Sequence, residues 1–91
     1  MKNVLIIIYD LIIPGRNCER LLQKIKAYPR WARLGGSAYL IVTESTADQV
    51  CDSLADALDR GDKLYVGMSP GPSACIGMPE EVTKWLRENQ K

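Results

Sequence analysis

Histidine is absent from this 91-residue chain. A Ser–His–Asp triad, a thiolate–imidazole pair and a Cys/His zinc site of the usual kind are therefore excluded. Cysteine is scarce: Cys18, Cys51 and Cys75 are odd in number, widely separated and without a CxxC pair, so they make no disulfide framework. Cys18 and Cys51 fall on or beside expected helix core faces and read as apolar packing residues. No apolar run approaches the ~20 residues that span a bilayer. The first apolar segment leads into Asp10 and a loop with no small-residue cleavage site, unlike a signal peptide, and the expected compartment is the cytoplasm. With a net charge of +1 there is no overall basic field to draw the chain to nucleic acid. Internal repeats and low-complexity tracts are also missing.

Apolar residues make up 46% of the chain and charged residues 25%, ordinary values for one globular domain. Val4-Leu5-Ile6-Ile7-Ile8-Tyr9 is apolar at every position and predicts a strand over residues 3–9 buried on both faces. It ends at a single acid, Asp10. Beyond Pro14-Gly15, Asn17 is placed to cap a helix that runs to Tyr28, where Pro29 ends it. Cys18, Leu21, Leu22, Ile25 and Tyr28 form its apolar stripe, with Arg16, Arg20 and Lys24 on the flank. Trp31 to Leu34 and Ser37 to Thr43 read as two strands of a hairpin. The Gly35-Gly36 pair between them suggests a primed turn with positive φ. A second helix is expected from Ala47 to Asp59, capped by Ser45 or Thr46, lined inside by Val50, Cys51, Leu54, Ala57 and Leu58, and stopped by Gly61. Leu64 to Gly67 form a fourth strand. Ser69 to Met78 are a Pro/Gly loop, and Pro79 opens a last helix with Glu80 and Glu81 at its positive end.

This order, strand-helix-strand-strand-helix-strand, predicts an α+β, ferredoxin-like split βαβ (βαββαβ) two-layer sandwich. It has a four-stranded antiparallel sheet and an added C-terminal helix. Residues 1–68 are the expected core, and residues 69–91 are a loop and helix of the same domain. The first and third strands, the most apolar, belong in the centre. Both alternating sets on these strands are apolar, so the sheet face away from the two core helices also needs a cover. Five or six large side chains at about 1.5–3 kcal/mol each represent on the order of 10 kcal/mol. A second copy stacked sheet to sheet is the expected cover. The alternative is the last helix folding back with Val82, Trp85 and Leu86.

Charge is uneven along the chain. Residues 16–33 carry Arg16, Arg20, Lys24, Lys26, Arg30 and Arg33 against Glu19 alone. Residues 44–62 carry Glu44, Asp48, Asp52, Asp56, Asp59 and Asp62 against Arg60. These stretches are either solvated helix faces, or a basic edge for phosphate or for the acidic edge of another copy. Trp31 beside Arg30 and Arg33 is either an edge-strand packing residue or a platform for a base next to its phosphate. Ser69-Pro70-Gly71-Pro72-Ser73 lacks the spacing of a phosphate loop and reads as a connector.

Tyr9-Asp10-Leu11 at the end of the first strand, the basic helix entry at Arg16 and the Gly-broken hairpin into Ser37-Ala38-Tyr39 together resemble the CRISPR-associated Cas-two proteins. The Trp31 hairpin, Asp62-Lys63-Leu64-Tyr65-Val66 and Trp85-Leu86 resemble more closely their SinR-like relatives. The VapD-type toxins share that fold. The resemblance implies a cytoplasmic homodimer joined through open sheet faces, binding DNA or RNA. In such a dimer Asp10 would lie near its two-fold mate as a catalytic residue and Mg²⁺ ligand of a nuclease. Arg16, Arg20, Arg30 and Arg33 would contact phosphate, with Trp31 and Tyr39 nearby. Several features depart from the nuclease pattern. Leu11-Ile12-Ile13-Pro14 makes the loop after Asp10 apolar, Tyr39 stands where many relatives have Phe, and the tail has no extra strand for exchange. Asp10 is otherwise a turn-forming or capping acid, or a partner of Arg16 or Arg33. The alternatives from other classes are a non-catalytic protein-interaction dimer and a small nucleotide-binding sensor.

Overall fold

The computed structural model describes residues 2–12 and 18–90. Arg16, the Pro14-Gly15 turn and the Asn17 cap lie outside the described residues. Seven elements follow one another: β1 (Asn3–Asp10), α1 (Cys18–Lys26), β2 (Arg30–Gly35), β3 (Ala38–Thr43), α2 (Ala47–Ala55), β4 (Lys63–Met68) and α3 (Glu80–Asn89). The four strands form one antiparallel sheet in the order β2-β3-β1-β4, so β1 and β3 are inner strands and β2 and β4 are edges. Among the described residues no helix is long and apolar enough to cross a membrane.

Strand alternation divides the side chains into two layers. Leu5, Ile7 and Tyr9 of β1 face the same way as Tyr39 and Ile41 of β3, and all five are buried with Leu21 and Ile25 of α1 and Val50 and Leu54 of α2. The opposite row is where the structure departs from expectation. Val4 and Leu40 are covered by Val82 and Leu86 of α3, with Ile6, Leu34, Val42, Cys75, Met78 and Trp85 packed around them. The face expected to be open and covered by a second copy is thus partly closed by the chain's own last helix. Three large apolar residues suffice because Met78 and Cys75, from the loop before α3, widen the lid. What remains uncovered is a strip at the other end of β1. There Ile8, 43% exposed, faces Tyr65, 60% exposed, across the β1–β4 ladder. Tyr65 leans along its strand, so a Cβ added at Gly67 would lie 2.7 Å from the Tyr65 hydroxyl. Glycine is needed there to let the ring lie down.

Two local expectations are corrected. Neither Gly35 nor Gly36 has positive φ; the hairpin instead turns through a register shift between Arg33 and Gly35, a bulge that supplies the twist a primed turn would have given. Gly61 does have positive φ, at 93°, but it lies beyond the end of α2, which stops at Ala55 with Asp56 as its C-cap. Between two possible caps the structure selects Thr46. Its hydroxyl accepts from the Gln49 N–H while the Gln49 side chain accepts from the Thr46 N–H, a reciprocal capping box.

The segment leaving β1 is held by Asp62. Its two carboxylate oxygens accept from the backbone N–H groups of Ile12 and Asp59, each at 2.8 Å. Charge-assisted bonds to backbone donors are among the stronger ones, so Asp62→Ala is expected to lower stability by about 1–3 kcal/mol in urea unfolding. The Tyr9 phenol donates to the Gly36 carbonyl at 3.2 Å and ties β1 to the hairpin. Burial pushes this phenol up from 10 to about 12, and the neighbouring Cys18 thiol acts in the same direction. The folded chain therefore holds the proton more tightly than the unfolded chain. This contribution is complete below about pH 10 and is lost as pH rises toward 12. Melting curves across that range should show a fall in Tm that is weaker in Tyr9→Phe, which at neutral pH is less stable by about 1 kcal/mol for the lost hydrogen bond.

Candidate nucleic-acid interface

Among the described residues, the expected phosphate-binding arginines Arg20, Arg30 and Arg33 do not form one patch. Arg20 Nη2 donates to the Asp56 carbonyl at 2.9 Å, and Lys24 Nζ to the Ser53 carbonyl at 3.2 Å. Both carbonyls belong to the C-terminal end of α2, a helix with no basic residue in its own last turn. The basic flank of α1 thus supplies the cations that the negative end of α2 lacks. Arg33 Nε donates to the Gly35 carbonyl at 3.0 Å and braces the bulge. Arg30 and Arg33 sit on opposite faces of β2 by strand alternation. Tyr39 is 2% exposed and belongs to the core.

Arg30 is different. Pro29 ends the turn after α1, and β2 begins at Arg30 as an edge strand. On α3, Trp85, Glu88 and Asn89 recur at the spacing of one helical face and come alongside that strand end. Arg30 Nη1 donates to Asn89 Oδ1 at 3.1 Å, and Asn89 Nδ2 donates to the Trp85 carbonyl at 2.8 Å. Asn89 takes one of the five N–H donors of the guanidinium and fixes its position. The next residue, Gln90, donates through Nε2 to the Ser69 carbonyl at 2.8 Å, and Ser69 N–H donates to the Val4 carbonyl at 2.8 Å. The C-terminal end of α3 is thereby fastened to the start of β1.

A cavity of about 550 Å³ lies between these parts, lined by Pro29, Arg30, Trp31, Trp85, Glu88 and Asn89. A second of about 330 Å³ shares Arg30, Glu88 and Asn89 with it and extends to Lys2, Asn3 and Pro70. Together they make a groove across the N-terminal end of the sheet on the α3 side, with Arg30 and Trp85 at one end and Lys2 at the other. Trp31, which alternates with Arg30 along β2 and pairs with Ile41, turns its ring to the opposite face. Trp31 is 38% exposed. Its ring packs against Tyr39 with centroids 6.1 Å apart, and Lys26 Nζ lies over it at 5.1 Å. These contacts give Trp31 the packing role, anchoring the edge strand to the α1/α2 side of the sheet.

Asp10 is exposed at the far end of β1, opposite Lys63 in register. Among the described residues no group of three His, Cys, Asp or Glu side chains is placed to hold a metal. Within one chain Asp10 offers a single carboxylate beside a lysine, a poor donor set for a hard cation on its own.

Sequence reasoning named Arg30 and Trp31 but not Lys2, Glu88 or Asn89, and it took Trp85 only as a lid residue. The helical spacing of Trp85, Glu88 and Asn89 was visible, but the strand they would meet depends on which sheet face α3 covers. The chain matches no family model, no curated protein and no solved structure. Arg20→Ala should lower stability by about 0.3–1 kcal/mol in chemical denaturation, the value of a cation at a helix C-terminus.

Proposed function

We propose that this chain is a ferredoxin-like nucleic-acid-binding protein of the Cas-two/SinR-like kind, and that it contacts phosphate through the groove at the N-terminal end of its sheet. The observation that carries this reading is the position of Arg30, held by Asn89 in a groove that Lys2 also lines. A guanidinium fixed in this way with donors to spare suits a phosphate oxygen geometrically. Phosphate contacts give affinity without base readout. The test is a titration of labelled DNA and RNA at rising salt. Binding is expected at low salt and should weaken as salt rises. Arg30→Ala should weaken it across sequences and reduce the slope of log affinity against log salt by about 1. If neither DNA nor RNA binds at low salt, the reading fails.

A second reading, a homodimer with Mg²⁺-dependent nuclease activity, is favoured by one observation. Asp10 and Lys63 lie on the same sheet face as exposed Ile8 and Tyr65, the strip that α3 leaves uncovered. A two-fold contact through that strip would bring two Asp10 carboxylates toward one seam, where Mg²⁺ would lower the barrier to phosphodiester hydrolysis. Light scattering at micromolar concentration should then give twice the chain mass. Cleavage should require Mg²⁺ and disappear in Asp10→Asn, and activity that survives this substitution removes the residue's role.

A further inference from the structure

We infer that Glu88 makes this groove selective for RNA over DNA: Arg30 and Lys2 hold phosphates of the strand, and the Glu88 carboxylate accepts from a ribose 2′-hydroxyl. This rests on the nucleic-acid reading above and narrows it to the sugar that the strand carries.

Three observations carry the inference. First, the groove that Arg30 and Lys2 line also holds an acid. Glu88 lines both cavities together with Arg30 and Asn89, and it is exposed on α3. Among the described residues Arg30 gives its hydrogen bond to Asn89 and none to Glu88, so the guanidinium leaves the carboxylate open to a ligand. An ionised carboxylate only accepts hydrogen bonds. A DNA backbone offers phosphate and deoxyribose oxygens, all of them acceptors, so beside Glu88 it meets repulsion and gains no bond. Each ribonucleotide of RNA adds one donor, the 2′-hydroxyl, and this group is what lets a protein tell the two apart. Second, the order of the groups matches one nucleotide. The ribose 2′-hydroxyl sits on the carbon next to the one that carries the 3′-phosphate. Glu88 and Asn89 are neighbours on α3, and Asn89 Oδ1 holds Arg30 Nη1 at 3.1 Å. A carboxylate and a guanidinium with donors to spare are thereby placed side by side. Lys2 lines the smaller cavity with both of them. It precedes β1, two strands from Arg30 on β2 and about 10 Å away in sheet spacing, which suits the next phosphate along the strand. Third, the walls are set in advance. The Arg30–Asn89 and Gln90–Ser69 bonds fasten the end of α3 that carries Glu88 to the sheet and its flanking loop. Little ordering is then left for the moment of binding.

The experiment titrates the full chain at low salt against three labelled strands of one length and follows fluorescence anisotropy. The strands are an oligouridylate, its 2′-deoxy form and its 2′-fluoro form. The 2′-fluoro strand keeps a ribose-like sugar pucker but has no hydroxyl to donate. The RNA is expected to bind roughly tenfold more tightly than either, the value of a hydrogen bond to a charged group. Glu88 is an exposed helix position that alanine suits, and Glu88→Ala should bring the three affinities together. Glu88→Gln should raise the affinity of the deoxy strand, because the repulsion is gone while the side chain keeps its size. Arg30→Ala should weaken all three strands alike.

Equal or tighter binding of the deoxy strand would overturn the inference while leaving phosphate binding in place. A 2′-fluoro strand that binds as tightly as RNA would overturn it too, since the preference would then follow the shape of the sugar. So would an RNA preference that survives Glu88→Ala, for then the acid repels both strands alike and reads neither. Failure of all three strands at low salt removes the nucleic-acid reading along with it.

Discussion

Because β1 is hydrogen-bonded to β3 on one side and to β4 on the other, its two rows of side chains must each find an apolar cover. Leu5, Ile7 and Tyr9 find theirs in α1 and α2. The other row is covered by α3 only at the end where Val4 lies. The limit is one of length. Ten helical residues rise about 15 Å, while the eight residues of β1 extend about 26 Å. Covering one end leaves the other bare, and Ile8, Tyr65, Asp10 and Lys63 lie on the bare end. The groove forms at the covered end because α3 arrives there beside the first residue of an edge strand. Both candidate surfaces are thus consequences of one short helix lying on one long central strand.

The cations of residues 16–33 look like a single basic segment in the linear chain, yet the fold gives those among the described residues different partners. Arg20 and Lys24 serve carbonyls at the end of α2, Arg33 braces the hairpin bulge, and Lys26 lies over an indole. Each of these positions reduces a local electrostatic or packing cost. Among the described residues of the segment, Arg30 alone lines the groove, and Lys2, from outside it, joins it. A charge run read from sequence therefore says how many cations are present, while the helix ends and strand faces decide which of them remain at a binding surface.

Element types were legible because each depends on near neighbours in the chain. The apolar run of β1, the three-and-four spacing of α1, the Thr46–Gln49 pair and Pro79 at the start of α3 act over a few residues. The errors arose where geometry depends on distant parts. The Gly35-Gly36 pair suggested a primed turn, but the register of β2 against β3 absorbed the bend in a bulge with ordinary backbone angles. Gly61 suggested a helix stop, but its positive φ serves the turn that lies against Ile12, whose Cδ1 would clash with any added Cβ. The cover of the second face was weighed from counts of apolar residues on the last helix. Met78 and Cys75 add to that cover from the loop before it, a contribution that residue spacing on a helix does not show.

A net charge of +1 bears on how such a groove can work. Without a broad positive field, encounter with a polyanion is not accelerated over long distances. Affinity must then come from contacts made after arrival, and from few of them, since among the described residues only Arg30 and Lys2 line the groove as cations. Two phosphate contacts alone give weak, strongly salt-dependent binding. A nearly neutral chain with two groove cations therefore suits a short stretch of phosphates better than the length of a duplex.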